Sequence, residues 1–174
     1  KGSGLLVAEG TLVSPADGRP AFKIFSDGLP AIAAAPQGTP VEGIQMAVSG
    51  FSHVLKDGVA QSGGETLEPR TGFGLSEDKR YVLLMIIDGR SGLSRGATTG
   101  ETGQWLLHFG AHDGLNMDGG GSSTMVVWTG EDTPKIVNTP VGCGRRMTER
   151  AVGANIGVSL VTETATIESR GTAG

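Results

Sequence analysis

The sequence predicts an α+β domain: a central mixed or antiparallel β-sheet with few helices, and Gly-rich loops at strand ends that form the site. Three observations carry this expectation. Short strand-like apolar pieces recur along the chain and alternate with turn signals. One segment reads as a helix, with a start and a stop signal of its own. Glycine accounts for 30 of the 174 residues, against a usual share of roughly 7%. These glycines have no triplet period, which excludes a collagen-like chain and implies many tight turns.

The elements follow in order. Gly4 to Ala8 and Thr11 to Val13 flank the turn Glu9-Gly10, and Ala21 to Phe25 alternates before the turn Asp27-Gly28. Ile44 to Val48 has strand character, and His53 to Leu55 leads into the hairpin signal Asp57-Gly58. Thr71 to Leu75 and Tyr81 to Ile87 flank the polar turn Ser76 to Arg80. The second of these is continuously apolar, the pattern of a strand buried on both faces. Thr98 and Glu101 have the spacing of a capping box, Trp105, Leu106 and Phe109 share a helical face, and Gly110 closes the helix. Gly103 inside it costs roughly 1 kcal/mol relative to Ala. Met125 to Trp128 pairs with Ile136-Val137, and Ala154 to Val161 is expected as a last strand. One domain spans 1–161, followed by a polar tail at 162–174.

Composition excludes several classes. Apolar content of 37% and charged content of 18% describe a globular chain rather than a disordered one. A net charge of −4, with no basic cluster beyond Arg145-Arg146, argues against a nucleic-acid partner. Cys143 is alone, so no intrachain disulfide can form. The longest apolar run, Tyr81 to Ile87, falls far short of the ~20 residues that span a bilayer. No transmembrane segment and no signal pattern are visible in this chain.

The chemistry concentrates at Asn116-Met117-Asp118-Gly119-Gly120-Gly121-Ser122-Ser123-Thr124. Three glycines between a carboxylate and two hydroxyls provide a backbone whose amides can form an anion-binding concavity. Taken alone, the same run is equally a Gly-rich turn. Other motifs fail. His108 and His112 have Phe109 where a zinc protease needs Glu, and Gly110 breaks the helix. Placing Gly119 sixth in an EF-hand puts Gly114 and Met125 at ligand positions. No Walker lysine follows the glycines, and the nucleophile-elbow glycine is missing. No cofactor is expected; a divalent cation such as calcium, held outside an EF-hand by Asp113, Asn116 and Asp118 oxygens, stays an open alternative. Further polar groups stand at strand ends, with Arg70-Thr71 opening one strand and Asp88-Gly89-Arg90 closing the next. Asn138, before Thr139-Pro140, fits an Asx-type turn.

Pro69-Arg70-Thr71-Gly72-Phe73-Gly74, Ile87-Asp88-Gly89-Arg90, the block from Gly110 to Thr124, Val137-Asn138-Thr139-Pro140 and Arg150-Ala151-Val152 occur in an order that resembles the phosphodiester glycosidase family. The resemblance covers roughly Gly4 to Val158. It implies hydrolysis of a sugar phosphodiester to free sugar and phosphomonoester, a carbohydrate phosphodiester as substrate, and an extracytoplasmic location (secreted, periplasmic or cell-surface). Two departures stand out. An Asn-Gly-Gly-Phe-Phe-like segment that the family places before the first strand is absent: either the chain is a processed or truncated fragment, or a separate polypeptide segment contributes the missing part. Gly72 stands where the family usually has a residue such as Ala.

A mechanism fits these residues. The leaving phosphomonoester has a second pKa near 6 and needs little protonation, but its charge needs neutralising by an Arg fork and fixed N–H groups. Arg70, the amides of Gly119, Gly120 and Gly121, and the hydroxyls of Ser122 or Ser123 are the expected phosphate ligands. Asp118 or Asp88 is the expected nucleophile or water-activating base. Thr71 and Asn116 orient sugar or phosphate, and the resemblance adds Asn138 to the binding residues. A non-catalytic domain that binds glycan or anionic polysaccharide would use the same groups.

Overall fold

The computed structural model describes residues 4–130, 133–142 and 147–159. Cys143, Arg145, Arg146 and the 162–174 tail therefore lie outside the described residues. The strands are β1 (Leu6–Ala8), β2 (Thr11–Ser14), β3 (Pro20–Phe25), β4 (Pro30–Ala34), β5 (Ile44–Ser49), β6 (Ser52–Lys56), β7 (Val59–Ala60), β8 (Arg70–Leu75) and β9 (Val82–Ile87). Helix α1 (Thr99–His108) follows, then β10 (Asp113–Asn116), β11 (Val126–Val127) and β12 (Lys135–Ile136). The strands form two five-stranded sheets, ordered β2-β1-β5-β3-β4 and β7-β6-β10-β8-β9, and a β11-β12 ribbon. Strand pairing is antiparallel throughout. The expected α+β class with one helix holds, and the expected single central sheet is in fact two.

Local chemistry explains the turns. Glu9-Gly10 and Asp57-Gly58 each have two positive φ angles, 49° and 74° in the first pair, 50° and 72° in the second. Two-residue hairpins need that mirror-image turn to match strand twist. The helix begins as its sequence predicts. The Thr98 hydroxyl accepts from the Glu101 amide at 3.0 Å, and the Glu101 carboxylate accepts from the Thr98 amide at 2.7 Å.

The layers stack through three apolar clusters. Phe22 of the first sheet meets Phe73 of the second edge to face, with centroids 6.0 Å apart, and Leu115 and Met117 complete that inter-sheet core. Leu5, Val7, Ala21, Ile44 and Ala47 form a cluster on the other face of the first sheet. Leu55, Leu106 and Ala111 bury α1 against the second sheet. Gly103 belongs to this last contact, because a Cβ there would lie 1.9 Å from the Val54 carbonyl oxygen. Its propensity cost is offset by close approach of helix to strand.

Two expectations about strands are corrected, and one strand is added. Tyr81 to Ile87 is not a central strand: β9 is the edge of its sheet, and Val82 and Leu84 remain 43% and 38% exposed. Its run is apolar because Leu83 and Met85 pack under α1. Residues 154–159 form no strand, although Ile156 packs on the inter-sheet core. Asp113–Asn116, to which the sequence pattern assigns no element, is a strand paired on both sides, between β6 and β8.

Candidate active site

Three neighbouring strands of the second sheet bring the polar residues together. β10 runs out through Asn116 into the glycine loop, and the Met117 amide donates to the Thr71 carbonyl at 2.8 Å, which fastens that exit to β8. The glycines have separate reasons to lack a side chain. A Cβ on Gly119 would lie 2.7 Å from the Pro69 carbonyl oxygen. Gly120 has φ +60°, and its Cβ would meet both terminal nitrogens of Arg90 at 3.3 Å. At Gly121 a Cβ would meet Gly142 Cα at 3.3 Å and Arg150 Nη1 at 3.6 Å. Gly120–Ser122 makes a 3₁₀ turn. The Gly120 amide is taken by the Pro69 carbonyl at 2.8 Å, and the Ser122 and Ser123 amides close the turn on Gly119 and Gly120.

Two carboxylates stand at this loop in different settings. Asp118 has a side chain 61% exposed. Its Oδ2 accepts from the Ser122 hydroxyl at 2.6 Å and from Arg150 Nη2 at 3.4 Å. The same Arg150 nitrogen donates to Ser122 Oγ, so hydroxyl, carboxylate and guanidinium form a closed triangle. Asp88 is half-buried, and its Oδ1 accepts from Asn138 Nδ2 at 3.0 Å and the Thr139 amide at 2.9 Å. Its Oδ2 accepts from the Thr139 amide at 3.0 Å.

Asn138 ties the two regions together. Its Oδ1 accepts from the Met125 amide at 2.9 Å, while Nδ2 donates to Asp88 and to the Ser123 carbonyl at 3.0 Å. Ser123 is 1% exposed, and its hydroxyl lies 3.1 Å from that of Thr71. Asn116 is 6% exposed, and its Oδ1 is buried with no partner among the described residues.

The arginines divide the work in a way the sequence does not display. Arg70 turns to the backbone, donating from Nε to the Ala97 carbonyl at 2.9 Å and from Nη2 to the Thr66 carbonyl at 2.7 Å. Burial lowers its pKa from the ordinary value, opposed by the nearby Glu68 carboxylate. Arg90 and Arg150 are the guanidiniums that lie over the glycines. Arg90 Nε is held by Glu68 at 2.5 Å, a bond that raises its pKa. Neither is among the residues that the sequence pattern marks for the site, although each stands in a motif block, Asp88-Gly89-Arg90 or Arg150-Ala151-Val152.

Asp113 and Asn116 are three apart on β10 and project to opposite sheet faces. Asp113 also accepts from the Asp57 amide at 3.1 Å. A cation shared by both residues does not fit this geometry. Among the described residues, no group of three or more His, Cys, Asp or Glu side chains is placed to hold a metal.

The family model for phosphodiester glycosidase matches residues 1–159. The fold is similar to a solved structure of the zebrafish N-acetylglucosamine-1-phosphodiester alpha-N-acetylglucosaminidase catalytic domain, auto-inhibited by pro-peptide. That match has a TM-score of 0.61 and 20% identity, over 70% of this chain and 47% of the other. A hypothetical protein from Synechocystis matches with a TM-score of 0.50 and 13% identity, over 70% of this chain and 43% of the other. At these identities the likeness concerns the fold, and the chain spans about half the length of these structures. No curated protein matches the sequence. Order of motifs, glycine loop and family match agree: the chain belongs to the phosphodiester glycosidase family.

Proposed function

We propose that the glycine loop hydrolyses a glycosyl 1-phosphodiester to free sugar and phosphomonoester, with Asp118 as the reacting carboxylate. The observation that carries this reading is the pair of guanidiniums over Gly120 and Gly121 beside an exposed carboxylate. A phosphate approaching Asp118 would be repelled by it, and Arg150 on Oδ2 supplies the screening charge. Asp118 Oδ1 has no partner among the described residues and is the oxygen left to face an anomeric carbon, directly or through a water.

In this scheme the anomeric carbon bonds either to a water that gives its proton to Asp118 or to Asp118 itself, whose glycosyl ester water then cleaves; its bond to the phosphate oxygen breaks, and the electron pair leaves on the phosphomonoester. Arg90 and Arg150 take up that charge as paired N–H donors. Ser122 orients Asp118. Asp88, Asn138, Ser123 and Thr71 hold the loop in place from beneath. Arg70 supports the β8 end of the loop through its carbonyl contacts.

The experiment incubates the full-length protein with glycosyl 1-phosphodiesters of several sugars and follows free sugar and phosphomonoester. We expect turnover of at least one substrate and a loss of about 100-fold or more in Asp118→Asn, in line with the loss of a group acting in the transition state. Undiminished turnover in Asp118→Asn removes this assignment. Binding of the diester with no product from the unmutated protein leaves the non-catalytic glycan-binding reading.

A further inference from the structure

The outer face of α1 carries an arrangement that the glycine loop does not use. Trp105 is 49% exposed and its indole stacks on Phe109, with centroids 6.0 Å apart and planes at 22°. His108 stands edge to face with both rings, 5.7 Å from Trp105 and 5.2 Å from Phe109. The three rings fix one another before any ligand arrives, which lowers the ordering cost of binding.

Side chains on a helix lean toward its N-terminus. Phe109, one turn later, covers one face of the indole, so the other looks back toward Glu101 and Gln104. Those two residues, Trp105 and His108 line a shallow concavity of about 450 Å³, and no candidate residue of the glycine loop borders it. Glu101 is fixed by the Thr98 amide on Oε2, which leaves its other oxygen to accept. The Thr98 bonds also hold this carboxyl below its usual pKa. Gln104 offers both a donor and an acceptor from an exposed position.

An aromatic face ringed by a carboxylate, an amide and an imidazole suits neither an apolar helix nor a phosphate. It matches a pyranose, whose C–H face is apolar and whose rim of hydroxyls both donates and accepts. We propose that this concavity is a carbohydrate subsite separate from the glycine loop. One pyranose of an oligosaccharide stacks on Trp105 and bonds Glu101, Gln104 and His108. The proposal rests on the reading that the protein handles glycans, and it holds the non-reacting part of such a substrate.

The experiment titrates the protein with the neutral hexasaccharides of glucose, mannose and N-acetylglucosamine. Calorimetry and tryptophan fluorescence are recorded, the latter in a Trp128→Phe background where Trp105 is the remaining indole. Expected are saturable binding of at least one sugar and a weakening of about tenfold or more in Trp105→Ala, equal to about 1.4 kcal/mol. Gln104→Ala, outside the ring stack, should weaken it severalfold and serves if Trp105→Ala does not fold. Binding of these neutral sugars is read without any turnover, which separates failure here from failure of the hydrolase reading. No saturable binding of any of the three sugars, or full binding in both α1 variants, overturns the proposal. So does self-association that Trp105→Ala abolishes, because a second copy then covers this face.

Discussion

Asp88 and Asp118 bring the same carboxylate to neighbouring places and meet opposite surroundings. Asp88 spends both oxygens on the Asn138 amide and the Thr139 backbone, at the end of β9. Asp118 spends one oxygen on Ser122 and Arg150 and stays exposed. Replacing Asp88 by Ala leaves two partly buried N–H donors without an acceptor, which costs about 1–3 kcal/mol. Asp118→Asn removes a charge from an exposed side chain and should leave stability within about 0.5 kcal/mol. Urea unfolding of the two variants measures the contrast. Equal losses would mean that Asp88 is not the structural anchor described. The sequence displays Asp118 and Ser122 openly, because the loop that holds both is contiguous. Arg150 comes from 32 residues beyond Asp118, and Arg90 from the end of a different strand. Their placement over the glycines depends on the folded sheet and on the Val141–Gly142 crossing, neither of which a local pattern encodes.

At the scale of elements, α1 lies on strands that have given up their side chains. A Cβ at Gly74 would lie 2.7 Å from Ala111 Cβ, and one at Gly114 would lie 2.7 Å from Leu106 Cδ1. Gly72 is different: its Cβ would meet the terminal methyl of Met85 at 3.0 Å, a flexible group that can shift, and Thr102 Cγ2 at 3.3 Å. Gly72→Ala should therefore be neutral or stabilise by up to about 1 kcal/mol, since Ala costs less backbone entropy than Gly in a strand. Gly74→Ala should destabilise by about 1–3 kcal/mol through overpacking against Ala111. Thermal midpoints of the two variants decide it, and a large loss in Gly72→Ala would contradict the flexible-neighbour account. The same glycines explain which elements the sequence reveals. The capping box of α1 and the turn dipeptides are local, and they read directly. β10 hides because Asp113, Asn116 and the Gly114 that admits α1 all have poor strand propensity. β4 hides behind Pro30 and its alanines, and pairing with β3 is what makes it a strand.

Across the whole molecule, the inter-sheet core and the α1 layer support the loop, while the far face of the first sheet holds one discordant group. Lys23 lies on β3 between Ala21 and Phe25, on the side of the Leu5, Val7 and Ala47 cluster, and is 7% exposed. Among the described residues its ammonium has a single hydrogen-bond contact, to the Ala34 carbonyl at 3.5 Å. Burial lowers its pKa from the ordinary 10.5. Below the folded-state pKa, folded and unfolded chains both carry the proton, and folding bears the desolvation cost. As pH rises through that value the folded chain releases the proton while the unfolded chain keeps it. The unfolded state then binds more protons, so stability rises with pH until 10.5 is passed. Lys23→Met keeps the apolar stem and removes the charge. The variant should be more stable at pH 7 by on the order of 1 kcal/mol, with the gap closing as pH approaches 10.5. Urea unfolding of both proteins from pH 7 upward measures the difference curve, which cancels the other alkaline titrations. A gap that stays constant with pH, or a less stable variant at pH 7, would show that the ammonium is well solvated on that face.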